Sequence, residues 1–210
     1  MTATPPDSLR ADPVTAALVE HYGTPEVAPA AADERFRRLA RAITSQSVST
    51  AAARATRERL FALPVYADGV TPEATLAADP DALADAGLGE RKARYLREAA
   101  AAWADGQIDP ATLGDADERA VREAVTDVYG LGEWTASMYL LFVLGREDVF
   151  PVGDLAVRRA MTALYGHADE NREEMCETAA RWAPYRSYAT RLLWAFYEDE
   201  DADAAAFRPP

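Results

Sequence analysis

Apolar residues recur three or four positions apart along most of this chain, and no alternating polar–apolar run extends beyond four residues. Phe36, Leu39, Ala40 and Ile43, for example, follow the spacing of one face of a helix. Residues 133–144 are apolar nearly all round, which predicts a buried helix. These patterns predict an all-α fold, with two small helical subdomains flanking a cleft.

Residues that favour the N-cap position mark several helix starts, and two of them precede a proline. The expected caps are Asp33, Thr71, Asp79, Asp117 and Asp154. The pattern divides the chain into an N-terminal segment (1–33) whose one helix packs with the C-terminal helices, a central subdomain (34–130), a C-terminal part (131–198) and an acidic tail (199–210). Residues 1–8 are expected to be disordered.

The stretch Val128-Tyr-Gly-Leu-Gly-Glu-Trp-Thr-Ala136 predicts the end of one helix, a tight turn and the start of another. Gly130 and Gly132 each permit a positive φ and remove a Cβ that would block close approach of another backbone. The first N–H groups of the second helix, together with the helix dipole, attract phosphate. The stretch therefore predicts a hairpin that binds a nucleic-acid backbone through its main chain.

The residues after the hairpin make the pattern more specific. Phe150-Pro-Val-Gly-Asp154 follows it, and later come Trp182-Ala-Pro-Tyr-Arg-Ser-Tyr188 and Trp194. In combination these motifs resemble the helix-hairpin-helix (HhH-GPD) DNA glycosylases, and among them 3-methyladenine DNA glycosylase II most, over residues 34–198. The resemblance implies a monomeric, monofunctional glycosylase. Such an enzyme hydrolyses the N-glycosidic bond of alkylated purines in damaged double-stranded DNA, during base-excision repair.

Asp154 is the expected catalytic residue. Cleavage of an N-glycosidic bond produces an oxocarbenium-like sugar, which a nearby carboxylate stabilises. A base that already carries a positive charge leaves without a general acid, so one carboxylate suffices. The alternative is that Asp154 is only a helix N-cap, worth about 1 kcal/mol.

Aromatic residues are expected to receive the extruded base, since their faces favour a cationic, alkylated ring. The resemblance implies a base pocket formed by Trp134, Trp194 and Tyr139. Relatives that also cleave the DNA backbone carry a lysine nucleophile where this chain has Trp134. Its absence implies that the enzyme has no lyase activity.

The resemblance also implies DNA contacts from the hairpin, from the segment Ile43-x-x-Gln46-x-x-Ser49 and from the helix after Asp154. These residues are Gly130, Leu131, Gly132, Thr135, Gln46, Ser47, Ser49 and Arg158. The family often has a larger residue where Ser47 stands, so the identity of the side chain that intercalates into the duplex stays open. A second Gly-x-Gly turn at residues 87–89 precedes Arg91, Lys92 and Arg94, which either face phosphate or form a solvated face.

A transition-metal or iron–sulfur site is not expected, because the chain has one cysteine and two histidines outside any motif. Cys176 is expected to pack as a small hydrophobe. The resemblance implies no cofactor beyond a Na⁺ or K⁺ ion at the hairpin, held by the backbone carbonyls of Val128 and Leu131.

The charge of the chain opposes nucleic-acid binding at first sight. The 35 acidic and 22 basic residues give a net charge of −13, and Lys92 is the single lysine. One interpretation is an acidic protein that never meets DNA; the other is a protein from a halophile. At about 1 M salt the Debye length is near 3 Å, so repulsion between protein and DNA is nearly abolished. The hairpin favours the second interpretation.

No run of 18 apolar residues occurs, and a soluble, cytoplasmic protein is expected. Two other functions stay open: a non-catalytic helix-hairpin-helix DNA-binding module, and a glycosylase for another damaged base.

Overall fold

The computed structural model describes residues 7–208, all of which are helical or irregular, and this part of the chain contains no strand. The predicted all-α fold is confirmed. The disorder predicted for residues 1–8 falls outside the described residues at positions 1–6, whereas residues 7 and 8 begin the first helix.

The helices have the following bounds: α1 Asp7–Ala11, α2 Pro13–Tyr22, α3 Arg35–Ser45, α4 Thr50–Phe61, α5 Pro72–Ala77, α6 Pro80–Leu83, α7 Gly89–Ala104, α8 Pro110–Leu113, α9 Glu118–Thr126, α10 Glu133–Phe142, α11 Leu155–Tyr165, α12 Arg172–Ala180 and α13 Arg186–Glu198. Short 3₁₀ helices occupy Pro64–Tyr66 and Ala204–Phe207. A π-helical turn, Ala84–Leu88, precedes α7, and Gly87 within it has a non-helical φ of 106°.

The predicted caps are confirmed at Thr71, Asp79, Asp117 and Asp154, whose side chains each accept a backbone N–H of the first turn. The cap predicted at Asp33 is wrong. Asp33 lies inside a turn closed by the hydrogen bond from Glu34 N to Ala31 O, so α3 begins one residue later. Glu34 occupies its N-cap position without a side-chain hydrogen bond.

The described chain forms two compact units, one of which comprises Pro29–Gly145. In this unit α10 packs against α3 and α9, while α7 packs against α5. Leu39, Ile43, Leu96 and Leu140 are fully buried in it. The sequence placed α10 with the C-terminal part, but seven of its ten residues are buried and it packs among the helices of this unit.

The other unit combines the described residues 7–28 with residues 146–208. Here α13 packs against α11 and α2, around a core that contains the fully buried Trp182. The segment before α11 is tied to the start of α13 by Asp148, which accepts Arg186 Nε at 2.7 Å and Arg186 Nη2 at 2.9 Å. Desolvation opposes ionisation of Asp148, but the hydrogen bonds and charge of Arg186 prevail and hold the pKa of the Asp148 carboxyl below its usual 3.8.

Within residues 7–208, every helix is too short or too polar to cross a bilayer.

Candidate active site

Asp154 is held in a defined orientation at the start of α11. Its Oδ1 accepts the backbone N–H of Val157 at 3.0 Å and the indole N–H of Trp194, also at 3.0 Å. A turn closed by Asp154 N and Pro151 O, at 2.8 Å, fixes the backbone before it. Two donors on one oxygen restrict rotation of the carboxylate.

Trp194 lies partly buried against the core of its unit. On the same helix, Leu192 and Leu193 belong to the buried face. The indole N–H of Trp194 reaches Asp154, so two residues predicted for the site come together.

Arg158 serves its own unit rather than a ligand. Its Nη1 donates to Gly153 O at 2.9 Å and its Nε donates to Asp169 at 3.3 Å. Only 16% of its side chain is exposed. Its guanidinium helps to hold the loop before Asp154, and the DNA contact by Arg158 stays a prediction.

The predicted hairpin forms between α9 and α10. Gly130 has a φ of 87°, and a Cβ there would lie 2.0 Å from Tyr95 Cδ1, so only glycine fits. Gly132, by contrast, has a φ of −116°, which any residue adopts. Among the described residues, no atom beyond its chain neighbours lies within 4 Å of a Cβ built on Gly132. This side of the hairpin is open to another backbone.

The start of α10 has the features of an anion site. Gly132 is its N-cap residue, and no side chain of the described residues caps the helix. The orphan N–H groups and the positive end of the dipole both favour phosphate. Leu131 anchors the turn, since its side chain is buried and its N–H donates to Val128 O at 3.0 Å.

Gln46 ties the loop after α3 to this hairpin. Its Nε2 donates to Gly130 O at 3.1 Å and to Thr135 Oγ1 at 2.9 Å. Thr135 is 1% exposed. These two side chains bond to each other and to the turn, and their DNA contacts stay a prediction. Sequence spacing could not reveal this, since the partners lie 84 and 89 residues apart.

The loop between α3 and α4 presents small polar residues and one apolar residue. Ser47 is exposed with a φ of 53°, an unusual value for a residue other than glycine. Ser49 caps α4 by accepting Ala52 N at 3.3 Å. Val48, which the sequence analysis missed, has 46% of its surface exposed. The available signal was an apolar residue standing alone among serines.

The two remaining aromatic candidates differ in burial. Trp134 is partly buried in the first turn of α10. Tyr139 has no exposed surface, and its hydroxyl donates to Ile108 O at 2.7 Å. Burial, and then the charge of Asp109, raise the pKa of Tyr139 above its usual value. Placing Tyr139 in a base pocket was therefore wrong: it is a core residue.

Basic and aromatic residues also surround the hairpin. Tyr129 is 53% exposed, and the Arg94 guanidinium lies 4.3 Å from the centre of its ring. Arg94 also pairs with Glu98 at 3.4 Å. Lys92 donates to Thr44 O at 3.0 Å. Of the basic residues after the second Gly-x-Gly turn, two thus have intramolecular partners, whereas Arg91 is exposed.

The hairpin carbonyls retain some capacity for a cation. Val128 O already accepts the N–H of Leu131, which leaves one lone pair. A Na⁺ or K⁺ ion at Val128 and Leu131 stays a prediction. Within residues 7–208 no cluster of three or more His, Cys, Asp or Glu side chains has metal-binding geometry. Cys176 is exposed, so its expected packing as a small hydrophobe is wrong.

The chain matches known proteins over most of its length. Residues 40–184 match the model of the HhH-GPD superfamily of base excision DNA repair proteins. A putative DNA-3-methyladenine glycosylase of Bacillus subtilis is 27% identical over 191 residues, which are 88% of this chain and 66% of that relative's length.

Two solved structures have the same fold. A DNA-3-methyladenine glycosidase from Bacillus halodurans superposes with a TM-score of 0.75 and 30% identity, covering 94% of this chain and 91% of that one. The 3-methyladenine DNA glycosylase Mag1 of Schizosaccharomyces pombe, in complex with abasic DNA, gives a TM-score of 0.81 and 26% identity over 92% of this chain and 96% of that one.

Proposed function

The chain belongs to the HhH-GPD superfamily of base excision DNA repair proteins, and we propose that it is a monofunctional DNA glycosylase that releases alkylated purines of the 3-methyladenine type. Its substrate is double-stranded DNA containing damaged bases, and it works as a monomer in the cytoplasm. The names of the relatives in Bacillus and Schizosaccharomyces support the alkylated-base specificity.

The observation that carries the proposal is the orientation of Asp154 by Val157 N–H and the Trp194 indole. A carboxylate fixed by two donors is preorganised, so it need not reorient when the sugar becomes positively charged. Asp154 stabilises that cation and directs the attacking water. Trp194, whose indole donates to Asp154, receives the extruded base, whose positive charge favours an aromatic face.

The DNA backbone contacts the main chain of Gly130, Leu131 and Gly132 at the uncapped start of α10. Val48 is our candidate for the side chain that fills the gap left by the extruded base. It is apolar and exposed, whereas Ser47 beside it is small and polar.

Two features support the absence of lyase activity. Trp134 stands where lyase-active relatives carry a lysine. The ammonium of the single lysine, Lys92, donates a hydrogen bond to Thr44 O. A Schiff base requires a free amine.

The decisive experiment incubates the protein with DNA methylated at random and identifies the bases released. Release of 3-methyladenine, with an abasic site that breaks only on alkali treatment, is the expected result. The competing proposal is a non-catalytic DNA-binding module, which the N-cap hydrogen bond of Asp154 also fits. Binding of the methylated DNA without release of any base would favour that module.

A further inference from the structure

Three basic side chains gather at the C-terminal end of α3, directly before the exposed loop 46–49. Arg57 Nη1 donates to Ser45 Oγ at 3.0 Å, and that hydroxyl donates to the carbonyl of Arg41 at 3.0 Å. Lys92 Nζ donates to Thr44 O at 3.0 Å. We call Arg41, Arg57 and Lys92 the α3-end patch.

Within the part of the chain that the structure describes, the patch forms no ion pair with a carboxylate, unlike several arginines of the same unit. Arg94 and Arg119, for example, pair with Glu98 and Glu123 one helical turn away. Among the described residues, no carboxylate oxygen lies within 4.0 Å of the nitrogens of Arg41, Arg57 or Lys92. The sequence explains this, because none of the three has Asp or Glu three or four positions away.

Further cations crowd the same region. Desolvation, followed by repulsion from Arg57, Arg38 and Arg37, lowers the pKa of the Arg41 guanidinium, and attraction to Glu34 offsets this only in part. Desolvation and the charge of Arg91 lower the pKa of the Lys92 ammonium. Arginine stays protonated regardless. In a chain with a net charge of −13, like charges held together without ion pairs form a local positive surface.

We propose that the α3-end patch binds the sugar–phosphate backbone of duplex DNA beside the loop 46–49. The inference rests on the proposed function, which brings DNA to that loop. Each patch residue keeps donors for a phosphate, because a guanidinium carries five N–H groups and an ammonium three. Arg57 and Lys92 each use one of these donors, for Ser45 and Thr44. The patch adds side-chain contacts to the main-chain contacts of the hairpin.

The test measures how binding depends on salt. A duplex with a tetrahydrofuran abasic-site analogue is titrated with protein from 0.1 to 1 M KCl, using wild type, Arg41→Gln, Arg57→Gln and the double variant. Each phosphate contact contributes about 0.9 to the slope of log Kobs against log[KCl]. We expect the double variant to lose about 1.8 from the slope, and each single variant to lose about eightfold in affinity at 0.1 M relative to 1 M KCl.

Arg119→Gln is the matched control. It changes the net charge by the same amount, but Arg119 pairs with Glu123 on α9. Arg57→Lys is the conservative variant, since it keeps the charge and should restore most of the slope. Thermal melting of every variant separates folding from binding. Patch variants that fold and show the wild-type slope, or a control that loses as much slope as they do, would overturn the proposal.

The proposed function and this inference fail in different ways. If the wild type binds the duplex but releases no alkylated base, the glycosylase proposal fails while the slopes still decide the patch. If base release is intact and the patch variants keep the wild-type slope, the patch fails alone. An Arg57→Gln variant that melts early but binds with an unchanged slope would show that Arg57 only secures the end of α3, which also overturns the proposal.

Discussion

Replacing Asp154 with asparagine separates the catalytic role of this residue from its structural role. Asparagine is nearly isosteric and keeps an oxygen for the two hydrogen bonds that Oδ1 accepts, from Val157 N and Trp194 Nε1. It is also as good an N-cap as aspartate. The substitution removes the negative charge and little else.

The expected magnitudes follow from those contacts. Both retained hydrogen bonds become neutral and therefore weaker, so the free energy of unfolding should fall by no more than about 1 kcal/mol. Base release should slow far more. Loss of one preorganised electrostatic contact costs about 2.7–4 kcal/mol, which corresponds to a rate loss of roughly a hundredfold to a thousandfold. DNA binding should be retained or tighten, because a carboxylate repels phosphate.

The assay is the single-turnover rate of base release from a duplex with one alkylated purine, with thermal melting alongside. Asp117→Asn is the matched control, since Asp117 caps α9 by accepting Ala120 N at 2.8 Å and lies outside the candidate site. It should melt and react like the wild type. An Asp154→Asn protein that melts normally and releases base within about threefold of wild type, or about 0.65 kcal/mol, would show that Asp154 is only a cap.

Four further outcomes are expected. Gly130→Ala should destabilise the fold by at least about 1–2 kcal/mol, since it forces a Cβ at positive φ against Tyr95. Gly132→Ala should melt like the wild type but bind DNA more weakly, and equal melting shifts for the two variants would contradict this. Stability and activity should rise with KCl toward about 1 M as charge self-repulsion is screened, and a maximum in dilute buffer would refute it. Borohydride should trap no covalent protein–DNA adduct, because Trp134 stands at the position expected of a lysine nucleophile; a trapped adduct would reveal an amine nucleophile. Since the pKa of Asp148 is depressed, its ion pair stabilises the fold fully above about pH 4 and is lost as the pH falls through the folded pKa, so Asp148→Asn should flatten the acid side of the melting profile.

The sequence by itself determined the elements and their order. N-cap residues predict the starts of α5, α6, α9 and α11, and apolar residues predict the buried α10, because both are local properties of the chain. Asp154 was identified as cap and catalytic candidate from its place after Phe-Pro-Val-Gly, and the structure confirms the cap. Gly130 was identified as a glycine that permits a positive φ, and its φ of 87° agrees.

Only the tertiary structure decided which polar and aromatic side chains are available to a ligand. Several residues of the predicted motifs form hydrogen bonds inside their own unit: Gln46, Thr135, Arg158 and Tyr139. Most of these partners are distant in sequence, so spacing carries no information about them. The grouping of Arg57 and its neighbours at the end of α3 arises in the same way, since helix packing rather than sequence proximity sets which charges meet.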